Sequence, residues 1–436
     1  MEWYEVLALM LGVLMVLFVA GTPVAFAFLL INIGGLFLFM GGFPALRLMV
    51  TSAFATLASF VLAPVLLFIL MGEIMFRSGL AVRTLDALDK WIGGIPGRLS
   101  LLAVSGGTLF STLSGSSMAT TAMLGTTLVP EMRRRGYSYL MSVGPISAAG
   151  GLAAIVPPTA MGVLLGSLAE ISIGKLLIAG IGPGLFMAGL YAVYIVVRAK
   201  LRPDSAPIYD VAHVSTREKV ISLVHLAPLS LIVFMVLGVI FIGVATPTEA
   251  AALGALSTAL VAAMYRSLTL KVVAQSVMNT VRVSVVVLMI ILASNAFSQV
   301  LAFTGASRGL VELVAGFQAP PVAILVLMMV IVLVLGMFVD QISIMMITVP
   351  IYFPLAAQLG FDPIWFGILM LLNMEVANTT PPFGLQLFVL KGVVPDAPMV
   401  EIYKSCFPFV LLDMLNLAVM IVFPALVLTL PRLMLN

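Results

Sequence analysis

Leu113-Ser114-Gly115-Ser116-Ser117-Met118-Ala119-Thr120-Thr121 opens the stretch, running on to Pro158, whose reading decides the fold. The triplet Arg133-Arg134-Arg135 and then Gly136-Tyr137 follow, and Gly150-Gly151 and Pro157-Pro158 close it inside an otherwise apolar segment. Ser-Gly-Ser-Ser breaks a helix and leaves backbone polar groups unpaired, which lipid does not tolerate. In a membrane protein such a break persists where it is buried or lines a cavity, and there it can hold an ion or a solute. In a watery setting the same run is only a linker between two ordinary helices. The rest of the chain decides between the two.

Of the 436 residues 62% are hydrophobic and only 9% charged, against about 25% charged in a soluble domain. The chain therefore reads as an all-α polytopic membrane protein, its bulk in the lipid bilayer. A net charge of +3 gives no footprint for nucleic acid. The single Cys406 excludes an intrachain disulfide and a cysteine zinc site, and no transition metal is expected. His213 and His225 lie near one polar loop with no carboxylate or serine in a triad-like setting. The start, Met1-Glu2-Trp3-Tyr4-Glu5, lacks the basic region of a signal peptide. The 28 methionines suit adaptable packing between helices.

Hydropathy places crossings at 6–20, 23–40 and 53–75, and an amphipathic interfacial helix at 77–98. Between Arg98 and Arg133 lie 34 residues. One helix of that length would span about 51 Å, more than the bilayer core, and two full crossings need about 40 residues. A re-entrant hairpin at about 99–132, its tip at 114–117, fits better. Further crossings follow at 139–165 (broken between Gly150 and Pro158), 176–197, 220–243, 248–265 and 284–303. A second hairpin-like segment covers 321–359, read as re-entrant or as two full crossings. A helix at 364–390, broken between Asn378 and Pro382, and a last crossing at 407–430 complete the chain. This layout collects on one side all 21 basic residues except Arg47, Lys175, Arg308 and Arg432. The positive-inside rule makes that side cytoplasmic and the N-terminus periplasmic.

Shifted by 224 residues, the chain matches itself at Thr22/Thr246, Pro23/Pro247, Pro96/Pro320, Pro130/Pro354, Gly136/Gly360, Pro157/Pro381 and Pro158/Pro382. About one proline match is expected by chance at any one shift, so five signal a duplication. Residues 1–219 and 220–436 form two units of three crossings, a hairpin, a broken helix and a final helix. The first starts outside and the second inside, an inverted-topology repeat of the kind found in secondary transporters. The shift sets the tip Ser114-Gly115-Ser116 opposite Phe338-Val339-Asp340, and Gly150–Pro158 opposite Met374–Pro382. Each proline frees carbonyl oxygens in the preceding turn. Opposed hairpins and broken helices thus offer paired cation sites flanking a solute site.

The sequence resembles the large membrane subunit of the TRAP (tripartite ATP-independent periplasmic) transporters. The matching stretches are Leu113–Tyr137, Gly150–Pro158 with Glu170-Ile171-Ser172-Ile173-Gly174-Lys175-Leu176, Thr246-Pro247-Thr248-Glu249-Ala250-Ala251, and Gly360-Phe361-Asp362-Pro363 through Pro381-Pro382-Phe383-Gly384. The resemblance implies a bacterial or archaeal inner-membrane protein that imports an organic acid by an elevator motion. It implies no cofactor, only Na⁺ as coupling ion. The implied partners are a four-helix small membrane subunit, expected as a separate protein, and a periplasmic solute-binding protein. Implied Na⁺ ligands lie at the first tip (Ser114, Gly115, Ser116, Ser117), the first break (Gly150, Gly151, Pro157), the second tip (Gly336, Val339, Asp340) and the second break (Thr379, Thr380, Pro381). Candidate solute contacts are Ser116, Ser117, Thr159, Asp340, Asn378 and Thr379.

Asp340, at a hairpin tip, is either a cation ligand or a helix cap. Glu375, one turn before the second break, is open between ligand and bundle contact. Glu249 reads as an N-cap partner; Glu73 and Asp413 read as interfacial or subunit contacts. A self-sufficient Na⁺/dicarboxylate carrier of the related superfamily is the alternative transporter. An intramembrane serine hydrolase using Ser114, Ser116 or Ser117 is a remote third, because no histidine is near and Lys175 falls at the far interface.

Overall fold

Proline and glycine set most of the helix boundaries. The computed structural model describes residues 2–58, 62–93, 95–114, 116–207, 216–316, 319–337, 339–381 and 384–434, and among these every regular element is helical. The first half runs α1 (Trp3–Val19), α2 (Val24–Phe39), α3 (Phe43–Leu57), α4 (Ala63–Arg77), α5 (Leu80–Ile92), α6 (Arg98–Ser114), α7 (Ser117–Arg134), α8 (Tyr139–Ile155), α9 (Ala160–Leu168) and α10 (Ile173–Leu201). The second half runs α11 (Thr216–Val233), a π turn at Phe234–Gly238, α12 (Val239–Phe241), α13 (Pro247–Met264), α14 (Leu270–Phe303), α15 (Ala306–Gly316), α16 (Pro321–Gly336), α17 (Gln341–Gln358), α18 (Pro363–Asn378), α19 (Leu385–Val393), α20 (Met399–Val422) and α21 (Ala425–Arg432).

A shift of 224 carries α7 onto 341–358, the span of α17, and α9 onto 384–392, within a residue of α19. The turns repeat too. Gly136 (φ 84°) and Gly360 (φ 77°) both close a helix in the left-handed region that glycine enters without steric cost. Tyr137 N donates to Met132 O, and Phe361 N to Ala356 O, each at 3.0 Å. That is the same Schellman closure in both halves.

Among the described residues five helices are individually long and apolar enough to cross a membrane: α10, α13, α14, α17 and α20; α8 and α9 together make a span bent by 41°. Leu38, Phe54, Val193 and Phe407 stand exposed, as side chains facing acyl chains do. The chain is a multi-pass membrane protein.

The first hairpin is visible from its neighbours. At the foot of the first, Ser100 Oγ donates to Met141 O at 2.5 Å, so α6 and α8 start together. Midway, Gly107 lies so close to Ala149 that a Cβ there would collide with it. At the tip, the Ser117 carbonyl lies against Gly150, near the α8–α9 break. Both feet therefore sit at one end, and the tip reaches only to the break. The foot is pinned: the buried Arg98 grips Asp89 through Nη2–Oδ2 at 2.6 Å and Nε–Oδ1 at 2.9 Å, tying α5 to α6. Arg133 lies 4.0 Å over the Tyr139 ring and donates to Tyr137 O at 2.5 Å. On α5, burial and then the Asp89 charge raise the Asp86 carboxyl above its usual range.

Four boundaries differ from those read off the sequence. The crossing placed at 53–75 is two helices, α3 and α4, with Pro64 starting the second, because proline fixes φ and breaks the preceding ladder. The crossing placed at 284–303 begins at Leu270, where Thr269 accepts from Val272 N at 3.2 Å and caps an unbroken 34-residue helix. The crossing at 220–243 winds into the π turn at 234–238. The last crossing spans α20 and ends at Val422; Pro424 then starts the separate α21.

Candidate functional site

Two 18-residue helices, α7 and α17, the second arms of the two hairpins, bring their N-termini to the same residue, Glu375. Ser116 caps α7, accepting from Ala119 N at 3.3 Å. Asp340, its equivalent at the 224 shift, caps α17, accepting from Ser343 N at 3.2 Å and from the Ser343 hydroxyl. Capping satisfies the open N–H groups of the first turn. Asp340 is half-buried rather than sealed in, so capping is its visible role in the fold.

One residue further on, the tips meet. Ser117 Oγ donates to Glu375 Oε2 at 3.1 Å, and Gln341 Nε2 donates to the same oxygen at 2.8 Å. Gln341 Nε2 also reaches Met374 O at 3.3 Å. Glu375 is 1% exposed, and its Oε1 has no hydrogen-bond partner among the described residues. It forms no ion pair with a lysine, arginine or histidine among the described residues. Gly151 leaves room for it: a Cβ there would lie 3.2 Å from Oε1 and 3.1 Å from Cγ.

A second bridge runs alongside. Gln386, fully buried on α19, donates through Nε2 to Ser147 O at 2.6 Å and to Thr121 Oγ1 at 2.9 Å. Its Oε1 accepts from Asn378 Nδ2 at 3.3 Å. Gly150 must be glycine here, since a Cβ would collide with Thr121 Oγ1 and Gln386 Nε2.

The breaks supply oxygens. At the second, Thr379 Oγ1 donates to Val376 O at 3.0 Å and Thr380 Oγ1 to the same carbonyl at 2.5 Å, which leaves the hydroxyl lone pairs open. The Asn378 and Thr380 carbonyls both turn toward Gly384. At the first break, Thr159 is buried and caps α9, accepting from Gly162 N at 2.7 Å. Pro157 precedes a cis peptide to Pro158.

The structure thus gathers Ser117, Gly150, Gly151 and Asn378 into one buried cluster. Ser116 and Asp340 stand beside it as caps, and Gly336 packs on Ala377 one turn below the second tip. Val339, Thr379, Thr380 and Pro381 lie on the segments flanking the cluster. Ser114 ends α6; Gly115 lies outside the described residues. Sequence reasoning missed Gln341, Gln386, Thr121 and Ser147, and left Glu375 undecided. The signal for two of them was present: the 224 shift pairs Ser117 with Gln341 and Gly151 with Glu375. A cluster of hydroxyls, amides, carbonyls and one carboxylate suits a hard monovalent cation. Among the described residues no three His, Cys, Asp or Glu come together as a metal site would need.

A cavity of about 1080 Å³ lies between α3 and α14 on one wall and α17 with the α9–α10 turn on the other. Ser52, Thr56, Asn295, Ser298 and Gln299 make the first wall polar, and among the described residues Glu170 is the only charged one lining it. Gln299 Nε2 donates to Ser52 Oγ at 2.6 Å and Asn295 Nδ2 to Thr56 Oγ1 at 3.1 Å, locking α14 to α3.

Comparison with known proteins places these features. The family model described as the tripartite ATP-independent periplasmic transporter, DctM component, matches residues 11–426. The chain is 33% identical over 391 residues to the C4-dicarboxylate TRAP transporter large permease protein DctM of Pseudomonas aeruginosa, covering 89% of this chain and 90% of that one. It is 32% identical to the ectoine TRAP transporter large permease protein TeaC of Halomonas elongata, covering 96% of each. Among solved structures, the YdaH transporter of Alcanivorax borkumensis superposes with a TM-score of 0.67 at 14% identity, covering 88% of this chain and 90% of that one. That likeness concerns the fold alone.

Proposed function

Because the chain belongs to the tripartite ATP-independent periplasmic transporter family as its DctM component, the large permease subunit, we propose that it imports a small organic acid across the inner membrane by coupling to Na⁺. It is a transporter subunit and not an enzyme. As in the family plan, it works with a small membrane subunit and a periplasmic binding protein that captures the solute. The two halves, 1–219 and 220–436, insert with opposite orientation, with the N-terminus periplasmic. The hairpins and broken helices form the moving body of an elevator.

The observation that carries the cation reading is the buried oxygen cluster at the two tips, above all a Glu375 carboxylate without a cationic partner. A buried carboxylate in this state is costly, and a bound monovalent cation offsets the cost. Na⁺ at the tips, with half-helix N-termini aimed inward, also attracts an anion without a basic side chain. The solute then sits among Ser116, Ser117, Thr159, Asp340, Asn378 and Thr379.

A zwitterionic solute is the second reading. It is favoured by the cavity lining, which among the described residues carries Glu170 and no lysine or arginine, and a relative is named for ectoine.

One reconstitution distinguishes these readings: uptake of a labelled C4-dicarboxylate and of ectoine into proteoliposomes holding both membrane subunits, with and without binding protein and a Na⁺ gradient. Uptake that needs both is expected. Uptake indifferent to Na⁺ refutes the coupling, and uptake by the chain alone favours a self-sufficient carrier.

A further inference from the structure

The bridge at the centre of the molecule falls on positions that the internal repeat pairs. Ser117 and Gln341 are equivalent at the 224 shift, each the first residue of its half-helix, and both donate to one oxygen, Glu375 Oε2. Glu375 is itself equivalent to Gly151, and the two face each other, with Oε1 against the bare Cα. One half supplies the carboxylate and the other the space for it.

The shared oxygen has a physical consequence. Oε2 is sealed from water, so displacing either tip leaves it one donor short with nothing to replace the bond. Among the described residues Oε1 has no hydrogen-bond partner to share the load, and the Asn378 amide beside the carboxylate donates to Gln386 Oε1 at 3.3 Å. The energy of moving one tip therefore depends on where the other tip stands. The Gln386 bridge adds a parallel tie, because Thr121 lies one turn after Ser117 and Asn378 one turn after Glu375. A coupling of this kind is a free energy shared by two sites and works equally in both directions.

We propose that Glu375 is a positioning residue that couples the two hairpin tips, so that a cation bound beside one tip raises the affinity of the site beside the other. This inference rests on the Na⁺-coupled reading above. In this role the carboxylate acts through Ser117 and Gln341, by holding the tips in one register. Any acceptor of the same length would serve the coupling, whereas the charge sets the strength of cation binding, which separates a positioning role from direct ligation.

The test is equilibrium binding of ²²Na⁺ to the purified permease with its small subunit, at constant ionic strength with choline and without solute. The native protein should bind with a Hill coefficient above one. Glu375→Ala should reduce it to about one while weakening half-saturation by about fivefold or more, the lower range of allosteric couplings. Gln341→Ala, which cuts only the second tip's tie, should flatten the curve as well. Glu375→Gln, which keeps an acceptor oxygen of the same reach but loses the charge, should weaken half-saturation and retain cooperativity. Where Glu375→Ala fails to fold, Gln341→Ala and Glu375→Gln decide. Unchanged cooperativity in Gln341→Ala refutes the coupling, as does a native isotherm that is already hyperbolic. Loss of all binding in a folded Glu375→Gln assigns the residue as a direct ligand and overturns the positioning role. Absence of saturable Na⁺ binding in the native protein sinks the Na⁺ reading itself.

Discussion

Replacing Gln386 by leucine should destabilise the protein by about 2–4 kcal/mol with almost no change in side-chain volume. The amide makes three hydrogen bonds from a fully buried position, to Ser147 O at 2.6 Å, to Thr121 Oγ1 at 2.9 Å and from Asn378 Nδ2 at 3.3 Å. Side-chain hydrogen bonds within membrane proteins contribute about 0.6 kcal/mol each on average and about 1.7 at most. The variant also leaves Ser147 O, Thr121 Oγ1 and Asn378 Nδ2 buried with one partner fewer, at about 1–3 kcal/mol for a group that finds no replacement. The assay is reversible unfolding of the purified protein in mixed micelles, compared with the native chain. A second substitution sharpens it: Thr121→Val removes one of the stranded partners, so Gln386→Leu with Thr121→Val should cost less than the two single changes added together. A loss below about 0.5 kcal/mol, the range of an ordinary surface change, or strict additivity in the double variant, would refute the reasoning.

Gly107→Val should lower the yield of folded protein sharply, because even a Cβ at 107 collides with Ala149 and prises α6 from α8; monodispersity on size exclusion checks it. Cysteines at Ser138 and Ser205 should label from the cytoplasmic face only, and one at Asp362 from outside only; Ser138 N donates to Ser205 O at 3.0 Å, so labelling of the first two from opposite faces would refute the fold itself. Asp340→Ala should both fray the start of α17 and raise the Na⁺ concentration for half-maximal uptake, whereas Asp340→Ser restores a cap without the charge. If Asp340→Ser behaves as native in Na⁺-titrated uptake, the aspartate is a cap alone; Asp86→Ala, on the interfacial helix, is the control expected to leave Na⁺ dependence untouched.

The sequence carried the plan of the fold because that plan rests on long-period features. Segment length between Arg98 and Arg133 required a hairpin, and the proline register at 224 residues paired its tip with the second one. What it hid depends on how the chain turns at a break. Gln386 reads as one polar residue in a short apolar helix. Only the departure from the helix at Thr379, Thr380 and Pro381 aims it back at Thr121, and helical periodicity does not survive such a break. The α3–α4 division was hidden for the converse reason: hydropathy runs on through Pro64, while the backbone ladder does not. Glu375 stood undecided because a single carboxylate near a break says nothing about its partners. The residue that faces it, Gly151, is legible only as an empty space across the repeat.

The duplication is symmetric in its backbone and complementary in its side chains. At the equivalent positions the first half places Ser116, Ser117, Gly150 and Gly151, and the second places Asp340, Gln341, Met374 and Glu375. Had both halves kept the larger set, two carboxylates would face each other where Glu375 now faces Gly151, with no lysine, arginine or histidine among the described residues ion-paired to the one that is there. Two buried like charges at that range disfavour each other strongly. Had both kept the smaller set, the tips would meet over a void with hydroxyls and no shared acceptor, and nothing would hold their register. Small residues in one half and long polar ones in the other give a single bridge at the centre, and the position of each hairpin tip becomes a constraint on its counterpart.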